Sequence, residues 1–100
     1  MINEIAGQLS GAVLQMGETI GLAWQSVGTV ESGIAQLEQA RATLREVQGR
    51  GSFSSLATVT EQLQQANMNL NAVRRQLEDT AAQLTSAVEQ TEDFVGRLNS

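Results

Sequence analysis

Hydrophobic residues recur every seven positions through the second half of the chain. One row consists of Leu56, Leu63, Leu70, Leu77, Leu84, Thr91 and Leu98. A second row lies three residues later and consists of Val59, Ala66, Val73, Thr80, Ala87 and Phe94. Two apolar rows at this spacing are typical of a coiled-coil seam. The pattern predicts a long helix over about residues 56–98, with the leucine row as the seam of a helical hairpin.

The first half of the chain follows the same seven-residue period. One row consists of Ile2, Leu9, Met16, Ala23, Val30, Leu37 and Leu44, and the row four residues later consists of Ala6, Val13, Ile20, Val27 and Ile34. A third row flanks them: Ile5, Ala12, Thr19, Ser26, Gly33, Ala40 and Val47. Three rows form a stripe that is wider than one partner helix covers. We therefore predict a helix over about residues 2–48 that contacts more than one other helix.

A concentrated turn signal separates the two halves at residues 49–55, which read Gly-Arg-Gly-Ser-Phe-Ser-Ser. The chain contains no proline, so no ring geometry interrupts either helix. The prediction is one all-α domain over residues 1–100, a long antiparallel two-helix hairpin. Because two such helices leave apolar surface in water, we expect the hairpin to pair into a four-helix bundle, as a homodimer or with another helical hairpin.

The composition removes the usual routes to catalysis. Cys and His are both absent, so the chain has no thiolate or imidazole to act as nucleophile, general base or metal ligand. The acidic clusters, formed by Glu78 with Asp79 and by Glu89 with Glu92 and Asp93, match neither a calcium loop nor a di-metal motif. We predict no enzyme activity, no metal site and no cofactor.

Charge and hydropathy also limit the classes of partner. The net charge is −5, and the six basic residues are arginines scattered along the chain, whereas nucleic-acid binding needs a clustered basic face. No apolar run approaches the roughly 18 residues of a membrane span. The N-terminal segment carries Glu4 where a Sec signal peptide has Lys or Arg. We expect a protein partner, and either a cytoplasmic location or secretion without a Sec signal peptide.

Glycine is concentrated in the first predicted helix, where each glycine costs about 1 kcal/mol relative to alanine. One heptad row contains Gly7, Gly21, Gly28 and Ala35, and Trp24 lies in the neighbouring row. One hypothesis is a smooth partner-binding face on which Trp24 is the aromatic anchor. The alternative is a weakly helical, kinked or mobile first helix with a surface tryptophan. Both interpretations remain open at this point.

Further features lie at the turn and near the C-terminus. Gly51 and Ser52 lead into the leucine row, and residues 91–98 read Thr-Glu-Asp-Phe-Val-Gly-Arg-Leu. The chain also has two long predicted helices, a midpoint turn, a negative net charge and no Cys. In these features it resembles the WXG-type helical-hairpin proteins of type VII (ESX-like) secretion, and the similar hairpins of actinobacterial polymorphic toxins. The family's Trp-x-Gly lies in the turn, whereas Trp24 lies in the first helix. Phe94 and Leu98 stand where its export motif has Tyr and an acid.

Two functional hypotheses follow from these observations. The resemblance implies a non-enzymatic protein-protein interaction module, a partner, escort or leader protein that accompanies a secreted partner. The alternative is a structural coiled-coil oligomerisation or assembly protein. A hairpin that closes into a finite dimer favours the first hypothesis, and helices that add end to end favour the second.

Overall fold

The computed structural model of the protein describes residues 1–51 and 54–99. Helix α1 spans Ile2–Gln48 and helix α2 spans Ser54–Leu98, and these described ranges contain no strand. The predicted fold class, an all-α helical hairpin, is confirmed. The pairing of hairpins into a four-helix bundle stays a prediction.

Helix α1 is one uninterrupted α-helix of 47 residues despite its glycines. No glycine of the described residues has a positive φ, so the conformational freedom of glycine is not used there. The helix ends in tight turns: the backbone N–H of Arg50 donates to the carbonyl of Val47 over 3.0 Å, and that of Gly51 donates to Gln48 over 3.3 Å. The central residues of the predicted turn, Ser52 and Phe53, lie outside the described residues.

The contacts of the chain divide it into two compact units. Unit 1 consists of Met1–Ser26 and Leu77–Ser100, so it combines the first half of α1 with the second half of α2. Unit 2 is Val27–Gln76, which contains the second half of α1, the turn and the first half of α2. The single domain over residues 1–100 therefore stays a prediction.

The two main heptad rows of α1 form its packed side in both units. In unit 1 the residues at least half-buried include Leu9, Val13, Met16, Ile20 and Ala23. In unit 2 they include Val27, Val30, Ile34, Leu37 and Leu44. Most of the third predicted row is exposed, because the α2 segment of the same unit covers only two rows of α1.

The leucine row of α2, predicted as the seam, is half-buried at every position: Leu56, Leu63, Leu70, Leu77, Leu84 and Leu98. The second row of the seam differs from the sequence prediction. The half-buried or buried row lies four residues after each leucine and consists of Thr60, Asn67, Arg74, Ala81, Val88 and Val95. In the predicted row, Val59, Val73 and Phe94 are exposed. Around the axis of α2, one heptad row lies about 50° to each side of the leucine row. Helix α1 packs against the less apolar of these two rows, the row of Thr60.

Part of this less apolar row is polar, and the side chains of Thr60 and Asn67 have hydrogen-bond partners on α2 itself. The hydroxyl of Thr60 donates to the carbonyl of Leu56 over 2.9 Å, and the side-chain amide of Asn71 donates to Oδ1 of Asn67 over 3.1 Å. Thr91, in the leucine row, likewise donates to the carbonyl of Ala87 over 2.8 Å. These local bonds remove most of the cost of burying hydroxyl and amide groups.

The core of the protein is thin. Among the described residues only Ala23, Val27 and Ala81 are buried, and none of the largest side chains is fully buried. The leucines of the seam are therefore covered on one flank and reached by water on the other. Burial of this extent removes little apolar surface from water compared with an ordinary domain of this length.

Candidate interaction surfaces

Many large apolar side chains lie on the surface of the described residues. Eleven of the described residues are exposed large hydrophobics: Met1, Ile2, Ile5, Leu14, Leu22, Trp24, Val47, Val59, Met68, Val73 and Phe94. The chain exposes 7158 Å², whereas a compact monomer of 10.7 kDa exposes about 5,500 Å². The excess is comparable to the total area of a standard protein-protein interface, about 1,600 Å².

Charged residues avoid three adjacent heptad rows on each helix. On α1 these are the row of Ile2, the row of Ile5, and the row of Met1, which continues through Gln8, Gln15 and Leu22. None of the residues in these three rows is charged. On α2 they are the rows of Leu56, Val59 and Ser55, in which Arg97 is the one charged member. We call the described residues of these six rows, within one unit, the uncharged face of that unit.

The uncharged face is distinct from a groove in unit 1. In unit 2 a Cβ atom built on Gly33, a member of the Ile5 row, would lie 3.8 Å from Cδ1 of Leu70, so two of the uncharged rows meet between the helices. In unit 1 Val13 and Val95, which belong to the other seam rows, line a groove together with residues that belong to none of the six uncharged rows. The uncharged face and the groove are therefore two different surfaces of unit 1.

The groove of unit 1 has a volume of about 580 Å³. Its lining residues are Ser10, Val13, Leu14, Glu92, Val95 and Gly96. Among the lining residues Val13 and Val95 are half-buried, Leu14 is exposed, and the exposed Glu92 contributes a carboxylate from α2. A lining of apolar side chains with a carboxylate suits an amphipathic protein segment better than a small polar ligand.

The net charge differs sharply between the two units. Unit 1 has a formal side-chain charge of −6, from seven acids and one arginine: Glu4, Glu18, Glu78, Asp79, Glu89, Glu92, Asp93 and Arg97. Unit 2 has a charge of +1, from four glutamates and five arginines: Glu31, Glu38, Glu46, Glu61, Arg41, Arg45, Arg50, Arg74 and Arg75. The two values sum to the −5 of the whole chain. The groove therefore lies in the strongly acidic unit.

The predicted partner-binding residues are all exposed. Trp24 is 52% exposed, and Gly7, Gly21, Gly28 and Ala35 are exposed as well. A Cβ atom added at any of these three glycines would meet nothing within 4 Å outside its own helix backbone. Contacts within the chain therefore do not explain the choice of glycine. In unit 1, Gly7 and Gly21 share a heptad row with Leu14, which lines the groove.

Sequence reasoning missed the uncharged face of α2, because it assigned the Val59 row to the seam within the hairpin. A signal for it is present in the sequence: the rows of Leu56 and Val59 contain no charged residue. A row that is apolar, uncharged and left exposed by the intramolecular partner marks surface available for a further helix.

Metal binding and membrane crossing have no support in the described residues. Within residues 1–51 and 54–99, no group of three His, Cys, Asp or Glu residues is placed to hold a metal ion. Neither of the two described helices combines the length and the hydropathy that crossing a membrane requires. Comparison with protein-family models, with curated proteins and with solved structures finds no match to this chain.

Proposed function

We propose that this protein is a non-enzymatic interaction module that completes its apolar core with helices of another chain. The observation that carries the proposal is the contrast between three buried residues and eleven exposed large hydrophobic residues within the described parts of the chain. Exposed apolar surface on this scale marks protein-protein contact sites in soluble proteins. The partner is another helical hairpin or a helical segment, because helix ridges pack best into the grooves of a second helix.

A partner-binding face around Trp24 is the second part of the proposal. In unit 1, Gly7 and Gly21 let a partner backbone approach closely, and Trp24 supplies a large aromatic surface beside them. Gly28 and Ala35 continue the same heptad row in unit 2. In unit 1 the acidic groove extends this surface. A partner segment with apolar anchors and flanking Lys or Arg residues has the complementary chemistry, and its association rate falls as salt screens the acids.

Within this class we propose a type VII secretion-associated partner, escort or leader protein. Two long helices, a midpoint glycine turn and the absence of Cys support this proposal. This support comes from the architecture of the chain alone. The alternative is a structural assembly protein. One observation favours the alternative: exposed apolar residues such as Met68 and Val73 lie on different sides of α2, and contacts on several sides permit open-ended assembly.

Two substitutions test the Trp24 face in the chain co-expressed with the products of its neighbouring genes. Trp24→Ala and Gly21→Leu should each weaken co-purification of a cognate partner by at least tenfold, since an aromatic hot spot contributes about 2 kcal/mol or more. Both variants should retain the helicity of the unchanged chain by circular dichroism, because both positions are exposed.

Matched controls separate contact from folding in this test. Met68→Ala removes an exposed apolar side chain from α2 in the other unit, and Gly21→Ala retains a small residue, so both should bind normally. Equal binding by all four variants would refute the Trp24 face. Loss of helicity in Trp24→Ala and Gly21→Leu would show that these residues stabilise the fold instead.

A further inference from the structure

We propose that a second copy of this chain packs against the uncharged face of each unit. The inference rests on the proposed function, because it assumes that the core is completed between chains, and it names both the partner and the surface. In unit 1 the exposed apolar members of this face include Ile2, Ile5, Leu22 and Phe94. In unit 2 they are Val47, Val59 and Val73.

The charge distribution favours a second copy. Two chains of net charge −5 repel one another, and the repulsion is smallest when they meet through surfaces that carry no acid. All eleven acids lie outside the six rows of the uncharged face. Two copies can therefore meet there without burying a carboxylate, whereas contact through the groove of unit 1 would bring the acids of both chains together.

The polar edges of this face are chemically self-complementary. The α1 edge carries Gln8, Gln15 and Gln36, and the α2 edge carries Gln62, Asn69, Gln76, Gln83 and Gln90. A side-chain amide both donates and accepts hydrogen bonds, so a row of amides can pair with the same row of a second copy. Heteromeric helix pairs are commonly specified by opposite charges at such edge positions, and these edges carry Arg97 alone.

The side-chain sizes on the face suit contact with a second copy. On α2, small residues lie between large ones in one row: Ala66 lies between Val59 and Val73, and Ala87 precedes Phe94. On α1, every position between Ile5 and Val47 in their row holds a small residue. Large side chains of one helix pack over the small positions of another.

Light scattering across a concentration series tests the proposal on purified protein. The expected mass is 21.4 kDa, twice the chain mass of 10.7 kDa. A buried glutamate opposes association, so Val73→Glu and Phe94→Glu should each halve this mass at concentrations where the unchanged chain is dimeric. The control Met68→Glu places the same charge at an exposed apolar position outside the face, and it should remain dimeric.

Thiol labelling keeps the test decisive if the glutamate variants fail to fold. The chain contains no Cys, so a single introduced thiol reports one position. Labelling of Val73→Cys should slow as protein concentration rises, because residue 73, 42% exposed in the single chain, becomes covered. Labelling of Met68→Cys, at a position 58% exposed, should not depend on concentration.

The possible outcomes separate this inference from the function on which it rests. A dimer that protects residue 68 and leaves residue 73 reactive would overturn the assignment of the face. A strongly helical monomer at all concentrations, or a weakly helical monomer that folds only with a different chain, would overturn the second copy as the partner. In both monomeric cases the proposed interaction function would be tested separately through Trp24 and Gly21.

Discussion

At the scale of single residues, Ala81 is the most buried of the described residues. It is 1% exposed, and the other buried residues, Ala23 and Val27, are also small or medium in size. Alanine at the contact lets two helix backbones approach closely, and the larger side chains pack above and below it. A larger residue at position 81 would have to displace one of the helices.

Ala81→Leu should therefore lower the free energy of unfolding by about 1–3 kcal/mol, the usual cost of overpacking a well-packed contact. Urea denaturation followed by circular dichroism measures the change. The control is Ala82→Leu, which adds the same side chain at the adjacent exposed position and should change stability little. Equal effects of the two substitutions would show that Ala81 is not a tightly packed contact.

Charge at the seam is a second feature at this scale. Arg41 occupies the α1 row that otherwise holds Val13, Ile20, Val27 and Ile34, and it is half-buried. Its Nε atom is buried and makes no hydrogen bond within the described residues. The seam of unit 2 therefore contains a polar position that an aliphatic residue would fill with less desolvation.

At the scale of elements, the heptad rows determined most of what could be predicted from the sequence. They led to two long helices, and α2 begins at Ser54, two residues before its predicted start. They also identified the leucine row as the packed row of α2. They could not decide which neighbouring row completes the seam, because the rows of Val59 and Thr60 flank the leucines at equal angles. That choice depends on how α1 approaches, and the more apolar row is left exposed.

The candidate surfaces were predictable to different degrees. Exposure of Trp24 and of the glycine row follows from their position opposite the apolar stripe of α1. The groove of unit 1 was not predictable, since it needs Val13 and Val95 to be neighbours, and residues this far apart in the sequence meet only through the register of the two helices. Register is set by packing of both helices together rather than by the pattern of either helix alone.

The glycines of α1 yield a prediction at the element scale. A Cβ atom at Gly11 or Gly17 would meet nothing within 4 Å outside the backbone of its own helix. Gly11→Ala and Gly17→Ala should each raise the free energy of unfolding by about 0.5–1 kcal/mol, because alanine loses less backbone entropy in a helix. Urea denaturation of each single variant and of the double variant measures this. Destabilisation instead would indicate that another backbone lies against these glycines in the assembled protein.

At the scale of the whole molecule, the structure presents two chemically different kinds of surface. The uncharged face is apolar and edged with amides, whereas the groove of unit 1 lies among acids. Association through the uncharged face should be nearly independent of salt, while a basic partner at the groove should bind more weakly as salt rises. In the proposed function, self-association and partner binding therefore use separate surfaces of the same helices.

If the apolar core is completed between chains, the stability of the fold depends on protein concentration. The midpoint of thermal unfolding, followed by circular dichroism, should rise steadily with protein concentration, because association stabilises the folded state by mass action. A midpoint that stays constant across a hundredfold range of concentration, in a strongly helical monomer, would show that the single chain is stable by itself. That result would contradict the proposal that the apolar core is completed between chains.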